Sequence, residues 1–504
     1  MTRGLVITFL AGTRTAPSCM IPPSKGRFSF LSLRSTEKRL LALFLVMVLL
    51  HHHHHHHHHL RNPQHFSHGG GTLDDEEMAS AFRTGVFSHC RWTAQAVRRA
   101  QDHVTAARHW EAVQIWNNYF DEGCFQLFLQ MLVGQASTLQ LLTVSVCQQP
   151  LELSALVNVL QSAKLAQLKE LTLVVDPRQR ITDEQAQYLR ALVQIPQKTL
   201  TIHFGLFQQD YRACLQALSQ GQREQLQEKR SSIKSESSCQ VKFCNVSFPH
   251  HQTLLQQFVH QVVETNVLSS LHLTARRRLD DDDLRAAQAG VSFVESFPVL
   301  LSARCLAELE IDALILPPLA LEDEPVLLER VWQALVQNTN LVRLSIEASY
   351  GLRPLWTRAI FPALALNRTL HYLDFGHTDE ILVDFLQRLP TMQGLRYIRA
   401  PFHLRCCRSW VYALEQMDNI QRIDFVFGDG YWNNDLPCTL DVRKQINEHC
   451  RRNQLIAAAR IFLRNGPCRP GIVQQLKELE VYEDKGFSAY YVVVRGCAGL
   501  IAHL

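Results

Sequence analysis

The sequence predicts an α/β solenoid in which strand-turn-helix units repeat and helical caps close both ends. Three observations lead to this prediction. A short apolar pattern with the alternation of a strand recurs from residue 139 onward. The segments between its copies change to the apolar period of a helix. The chain has 504 residues, more than one ordinary hydrophobic core supports, which favours a repeat array or several domains.

The strand pattern is apolar, two variable residues, apolar, one variable residue, apolar. Eight clear copies begin at Leu139, Leu168, Leu268, Leu306, Leu341, Leu370, Leu395 and Ile420, and two degenerate copies lie around Leu200 and Val241. The starts at 306, 341, 370, 395 and 420 are 35, 29, 25 and 25 residues apart. These spacings bracket the roughly 20–29 residues of a leucine-rich repeat. Ten copies in near-register therefore predict a repeat domain over residues 136–453.

Between the strands, apolar residues fall at positions i, i+3, i+4 and i+7, which is the stripe of a helix packed on one side. The stripes are Leu255, Phe258, Val259 and Val262; Leu328, Val331, Trp332 and Leu335; Trp356, Ala359, Ile360 and Ala363; Leu382, Phe385, Leu386 and Leu389; and Trp410, Ala413, Leu414 and Met417. Neither element can bury its apolar face alone, so we expect neighbouring units to stack into one continuous core.

Two junctions carry a resemblance to a known family. Residues 361–375 (FPALALNRTLHYLDF) end a helix in Asn367 and continue through a Thr-Leu step into a strand, and residues 336–341 (VQNTNL) repeat the junction. This phrase resembles the ribonuclease-inhibitor-like class of leucine-rich-repeat proteins. Residues 442–453 (VRKQINEHCRRN) resemble the amphipathic helix that often ends such arrays. The resemblance covers roughly 139–453 and implies an arc or horseshoe, with irregular repeats because the usual Asn after each strand is missing.

The repeat domain is expected to carry a cap at each end. Residues 78–135 predict a helical N-terminal cap and residues 454–504 a C-terminal cap, because terminal repeats must cover the core with a polar outer face. The run AYYVVV at 489–494 fits either a strand or a buried helix. The polar, charged stretch 219–238 predicts either an insertion or a helix that extends into solvent.

Residues 1–77 differ in composition from the rest and predict a disordered or targeting-like segment. The apolar stretch 40–50 (LLALFLVMVLL) is shorter than the roughly 20 residues that cross a bilayer. Its length suits the core of a signal peptide, but the basic segment before it is longer than an ordinary signal has, and a short apolar helix or a mispredicted gene start is the other interpretation. The run His51 to His59 is interpreted as low-complexity sequence, with metal capture as the alternative.

The composition gives no sign of a cofactor, a metal site or nucleic-acid binding. Lys plus Arg is 51 against 47 acids, so the formal net charge is only +4. The 14 cysteines include no CxxC pair, which argues against a zinc site or a redox dithiol. Buried thiols in a reducing compartment favour a cytoplasmic location. Secretion, or membrane association through residues 40–50, is the alternative.

Function is expected on the strand residues that alternate with the core leucines, because these side chains point away from the core onto the concave sheet. The ten candidate binding residues are Glu308, Glu310, Asp312, Arg343, Tyr372, Asp374, Tyr397, Arg399, Arg422 and Asp424. Tyr and Arg dominate interface hot spots, and the acids on one strand suit a basic partner segment.

The sequence therefore predicts a non-enzymatic protein-interaction module whose protein partner is unidentified. Three alternatives remain at this stage. The first is a membrane-anchored or secreted receptor-like version of the same arc. The second is an enzyme with its pocket in the caps. The third is a diverged array whose ligand has been lost.

Overall fold

Strands and helices alternate along the chain in this computed structural model, which describes residues 75–465 except 89, 104–109, 136–137, 147–150, 163–166, 176–180, 196, 205–210, 231–238, 247–251, 275–292, 316–324, 351–352, 377 and 427–436. The described strands are β1 (Val86–Ser88), β2 (Arg91–Trp92), β3 (Ala112–Phe120), β4 (Leu141–Val146), β5 (Glu170–Val174), β6 (Thr199–His203), β7 (Gln240–Val246), β8 (Leu268–Thr274), β9 (Glu308–Ile315), β10 (Arg343–Tyr350), β11 (Tyr372–Asp374), β12 (Tyr397–Pro401) and β13 (Arg422–Val426).

The helices of the described residues follow the strands almost one for one. They are α1 (Asp75–Thr84), α2 (Ala94–Gln101), α3 (Cys124–Gln135), α4 (Leu153–Ser162), α5 (Asp183–Gln194), α6 (Arg212–Arg230), α7 (Gln252–Thr265), α8 (293–300), α9 (Pro325–Gln337), α10 (Phe361–Leu366), α11 (Leu382–Arg388), α12 (Cys407–Glu415) and α13 (Pro437–Asn465). All of these elements belong to one unit, Gly70–Leu504.

The strands form one parallel sheet in which spatial order follows chain order. The order is β1, then β3 through β13 in sequence, and β2 pairs with β3 beside this path. All ten strand patterns that the sequence indicated, from β4 to β13, are confirmed as strands. The chain thus folds as a leucine-rich-repeat solenoid of strand-turn-helix units, as the sequence predicts.

The register aligns the core leucines of successive repeats. Leu142 pairs with Leu171, Leu171 with Leu200, and Leu200 with Val241. The same alignment runs through Leu309, Leu344, Leu373, Ile398 and Ile423. Between β7 and β8 the register shifts, which accounts for the degenerate pattern at that point. Each fully buried leucine contributes roughly 1.5–3 kcal/mol relative to an exposed one, so this continuous row is the main stabilising feature of the array.

The N-terminal segment differs from the helical cap expected over 78–135. It contains α1, α2 and α3, but also β1, β2 and β3, and β3 is a full member of the main sheet. The reason is the alternation of Val113 and Ile115, which face the core, with polar neighbours. Asn118, fully buried on β3, accepts the Cys90 backbone N–H at 3.0 Å and donates to the Phe87 carbonyl at 2.7 Å. It thereby ties the first two strands to the sheet.

One predicted helix has an unexpected local form. The stripe that includes Trp356, Ala359 and Ile360 is buried as expected, but Leu355–Ile360 is a π-helical segment that leads into α10. The Phe361 N–H donates to the Trp356 carbonyl, five residues back, instead of four. Pro362 follows and has no N–H to donate, which favours a local departure from the α-helical ladder.

The closing segment of the repeat domain and the polar stretch that begins at 219 are both helical where the structure describes them. The closing amphipathic segment 442–453 lies within α13, which buries Ile446, Cys450 and Asn453 against the last repeat. The polar stretch from 219 continues α6 as a helix to Arg230, and its first turns pack inward, since Gln225 accepts the buried Cys239 N–H at 3.2 Å.

Some of the predicted segments lie outside the described residues. These are the stretches 1–74, 231–238 and 466–504, which include the apolar stretch 40–50, the His run and AYYVVV. Among the helices that are described, none combines the length and apolar character needed to cross a membrane.

Candidate functional site

The sheet has one face covered by the helices and a second face, here called the open face, formed by the alternate strand residues. On β5, for example, Leu171 and Leu173 are fully buried while Glu170, Thr172 and Val174 are partly exposed. This alternation is a direct consequence of strand geometry, in which successive side chains point to opposite sides of the sheet. The open face of the described strands therefore presents mainly polar side chains, with aromatic residues on some strands.

The last four strands bring the predicted aromatic and arginine residues together. In register across the open face, Arg343 of β10 pairs with Tyr372, Tyr372 with Tyr397, and Tyr397 with Arg422. A second row, two residues further along each strand, contains Ser345, Asp374, Arg399 and Asp424. We call Arg343, Tyr372, Tyr397, Arg399 and Arg422 the Tyr/Arg surface. Neighbouring strands are about 4.8 Å apart, so the first row spans roughly 15 Å.

The first row is held by contacts among its own members. The Arg343 guanidinium lies over the Tyr372 ring, 4.3 Å from its centroid. Burial raises the pKa of the Tyr372 phenol, and the nearby Asp374 carboxylate raises it further. Tyr397 is 38% exposed, and its hydroxyl donates to Gln421 Oε1 at 3.3 Å. Tyr372 is thus partly buried and packs beneath the Arg343 guanidinium, while Tyr397 is exposed to solvent.

Asp374 orients Arg399 instead of facing solvent itself. Its side chain is only 3% exposed, and it accepts from Arg399 Nη1 at 3.1 Å and from the Gly376 N–H at 2.9 Å. Burial alone would lower the pKa of the Arg399 guanidinium, but the Asp374 charge and hydrogen bond raise it overall. Arg399 therefore stays charged in a fixed orientation on the open face.

Arg422 is the most exposed member of the Tyr/Arg surface. Its side chain is 63% exposed, and Nε donates to Asp424 Oδ1 at 2.9 Å. This hydrogen bond raises the pKa of Arg422. An exposed pair of this kind contributes little to stability, so either partner is available to exchange its bond for one to another molecule.

The acidic residues of β9 each have a basic or imidazole neighbour on the open face. Glu308 bonds to Lys242 Nζ at 3.2 Å, and Glu310 lies 3.9 Å from the Arg343 guanidinium. Asp312 lies 2.7 Å from His272 Nε2. The sequence placed these acids correctly on the open face but did not single out Lys242. Lys242 lies between Val241 and Phe243 of a degenerate repeat, and this alternation identifies its side chain as outward-facing.

Comparison with known proteins adds little to this description. No protein-family model matches the chain, and no curated protein matches it in sequence. Among solved structures, the chain is similar to the leucine-rich repeat-containing protein LegL7 from Legionella pneumophila, with 11% sequence identity and a TM-score of 0.39. The match covers 72% of this chain and 98% of that chain. The fold assignment consequently rests on the strand order and the register of the repeats.

Proposed function

We propose that this chain is a non-enzymatic protein-interaction module that binds a protein partner across the open face of its sheet, with the Tyr/Arg surface as the anchor. The observation that carries the proposal is the unbroken row of Arg343, Tyr372, Tyr397 and Arg422 in neighbouring strand positions. Tyr and Arg are the residue types that most often dominate the binding energy of protein interfaces.

The contacts within the Tyr/Arg surface favour binding because they reduce its entropic cost. Stacking on Tyr372 restricts Arg343, and the buried Asp374 restricts Arg399. Each flexible side chain that must be immobilised on binding costs about 0.5–1.5 kcal/mol, and a side chain that is already held avoids part of this cost. Tyr397 and Arg422 remain exposed and supply the contact area that a partner covers.

The charge of the open face changes along the solenoid and gives the interaction a direction. β9 presents the acids Glu308, Glu310 and Asp312, each beside a basic or imidazole group of a neighbouring strand. β12 and β13 present Arg399 and Arg422, which are paired with Asp374 and Asp424. A partner with basic residues toward β9 and acidic residues toward β13 matches this order, and the reverse orientation places like charges together. Charge therefore sets the orientation while the tyrosines supply contact area.

A capture experiment with matched variants tests the proposal. The full chain, the Tyr397→Ala/Arg422→Ala variant and the Tyr412→Ala/Arg408→Ala variant are used as baits in native cell extract, after circular dichroism has shown equal folding. Tyr412 and Arg408 are exposed on α12, on the helix side of the same repeat, and so control for the loss of one Tyr and one Arg.

We expect a protein that the full chain and the α12 variant retain and that the open-face variant loses. Equal retention by all three baits, or loss from both variants, contradicts the assignment of the open face.

A receptor-like form of the same module requires residues 40–50 to act as a secretion signal. Sequencing the mature amino terminus tests this alternative separately, and an uncut start supports an intracellular adaptor.

A further inference from the structure

We propose that His272, Glu310 and Asp312 form a binding site for a divalent first-row transition metal, with Zn²⁺ as its representative, on the open face between β8 and β9. This site borders the Tyr/Arg surface, because Glu310 lies 3.9 Å from the Arg343 guanidinium. Binding of a metal ion does not itself require a protein partner. Sequence spacing does not indicate this site, because the three residues are spread over 41 positions (272 to 312 inclusive) and match no metal-binding motif.

The register of two neighbouring strands brings the three side chains together. His272 of β8 pairs with Glu310 of β9, and Thr274 pairs with Asp312, so all lie on the same face. One ligand atom from each of His272, Glu310 and Asp312 lies within 4.8 Å of the other two. The closest pair is His272 Nε2 and Asp312 Oδ2, at 2.7 Å.

These separations need only small adjustments to hold a metal ion. Ligand atoms about 2.0–2.1 Å from a tetrahedral Zn²⁺ are roughly 3.3 Å apart. The His272–Asp312 pair must open by about 0.6 Å, and the longest separation in the cluster must close by at most about 1.5 Å. The metal then replaces the direct contact between His272 Nε2 and Asp312 Oδ2.

The donor set selects the class of metal. An imidazole nitrogen favours zinc and its transition-metal neighbours over Ca²⁺ and Mg²⁺, which prefer oxygen ligands alone. Two carboxylates balance the charge of a divalent ion, and a water completes four-coordination. His272 is only 8% exposed, so its end of the site is shielded from solvent and attraction between the ion and the carboxylates is weakly screened.

A second observation at the same place also indicates a ligand. Thr274 is 4% exposed, and its Oγ1 makes no hydrogen bond within the described structure. It lies on the open face directly opposite Asp312. Buried hydroxyl groups without a partner are rare and call for an explanation. A water bound to the metal supplies one, whereas a simple His272–Asp312 hydrogen bond leaves the Thr274 hydroxyl without a partner.

The test measures Zn²⁺ binding by equilibrium dialysis and calorimetry on the full chain. Because His51 to His59 is itself a metal-binding sequence, all measurements use a full-length background in which these nine histidines are replaced by serine. Asp312→Asn removes a ligand at nearly constant volume, and His272→Asn replaces the imidazole by a smaller amide that does not extend to the position of Nε2. His260→Asn removes an exposed imidazole on α7 and serves as the matched control.

We expect one Zn²⁺ per chain in the background and in the His260→Asn variant. Loss of a supporting group around a metal typically weakens binding 10–100-fold, so removal of a ligand should weaken it by at least about tenfold. Three results would overturn the proposal: no bound Zn²⁺ in the background, unchanged binding in the His272→Asn and Asp312→Asn variants, or binding of Ca²⁺ or Mg²⁺ without Zn²⁺.

A second measurement covers the case in which the variants fail to fold. The unmodified full chain is treated with Fe²⁺, ascorbate and hydrogen peroxide, which cleave the backbone close to a bound iron ion. The site predicts new fragment ends near 272 and 310–312 that excess Zn²⁺ abolishes. Cleavage absent from both strands overturns the proposal. Neither experiment involves Tyr397 or Arg422, so failure here is distinguishable from failure of the proposed function.

Discussion

At the scale of single residues, buried asparagines join consecutive repeats where each helix leads into the next strand. Asn367 Oδ1 accepts the N–H groups of Thr369 and Leu370, both at 2.8 Å. Its Nδ2 donates to two carbonyls of the preceding repeat, Leu335 at 2.7 Å and Asn338 at 3.0 Å. Asn338, Asn419 and Asn453 make equivalent bonds to the repeat before them. The amide is suited to this place because it donates and accepts at once.

Replacing Asn367 by Ala should lower the free energy of unfolding by about 2–4 kcal/mol, because five hydrogen bonds of this buried side chain are lost and their partners remain. Denaturation with urea, followed by circular dichroism, measures this change. Arg368→Ala, at the exposed neighbouring position, should change stability by less than about 0.5 kcal/mol. Equal effects of the two substitutions would show that the asparagine does not join the repeats.

Cys244 of β7 provides a prediction about pH. Burial, assisted by the charge of Glu310, raises the pKa of the Cys244 thiol to about 12. A raised thiol pKa favours the neutral form, so at pH 8 only about one molecule in ten thousand carries the reactive thiolate. Iodoacetamide at pH 8 should therefore leave Cys244 unlabelled while it labels the exposed Cys305. Peptide-resolved mass spectrometry measures both. Comparable labelling rates in the folded protein would contradict the burial of Cys244.

The sequence predicted residue positions better than residue environments. Strand alternation placed all ten candidate residues on strands of the open face. It could not show that Asp374 is buried beneath Arg399, because both side chains leave the same face and their packing depends on the neighbouring strand. Asn367 stood out in the sequence as part of a repeated junction, but its partners in the preceding repeat, 29 and 32 positions earlier, became visible only in the fold.

At the scale of whole elements, the close packing of neighbouring helices determines which residues are tolerated. α5 and α6 approach each other most closely at Gly221, where an added Cβ would lie 2.7 Å from the Arg190 carbonyl oxygen. The Arg190 side chain also bonds to Glu224 of α6, and this hydrogen bond is the main cause of the lowered pKa of Glu224. A side chain at 221 would push the two helices apart.

Gly221→Ala should therefore destabilise the protein although alanine is the better helix former. Overpacking against backbone costs typically 1–3 kcal/mol, against a gain in helix propensity of about 1 kcal/mol, so we expect a net loss of up to about 2 kcal/mol. Thermal unfolding measured beside Arg223→Ala, an exposed change on the same helix, checks this. A rise in the melting temperature for Gly221→Ala would contradict the close approach.

Periodicity predicted most elements because each repeat buries one face of a strand and one face of a helix. It failed where another constraint decided the local structure. The sequence predicted a helical cap in place of β3, because the alternation of Val113 and Ile115 is short and lies among aromatic residues such as Trp116 and Phe120. The π-helical segment before α10 follows from Pro362, whose effect on the hydrogen-bond ladder is local and leaves the apolar stripe unchanged.

At the scale of the whole molecule, each repeat contacts mainly the repeats before and after it, since spatial order follows chain order throughout the sheet. Stability in such an array is approximately a sum of local terms and neighbour interfaces. A core substitution should consequently loosen its own repeat and the adjacent ones more than distant ones. The sequence could predict this order because a recurring unit leaves little choice of topology.

Leu171→Ala tests this behaviour. Leu171 is fully buried on β5, and its truncation should cost about 2–5 kcal/mol. Native-state hydrogen exchange should become at least about 30-fold faster in β4 to β6, which corresponds to about 2 kcal/mol, and change far less in β11 to β13. An equal acceleration in every strand would instead identify the solenoid as a single cooperative unit.

The central claim is that the open face near β12 and β13 binds a protein partner, and site-specific photo-crosslinking tests it most directly. A benzophenone amino acid replaces Tyr397 on the open face in one preparation and Tyr412 on α12, which is 67% exposed, in another. Both are irradiated in native extract under identical conditions. We expect one discrete crosslinked protein from position 397, competed away by unlabelled full chain and absent from position 412. The same products from both positions, or products from position 412 alone, would contradict it.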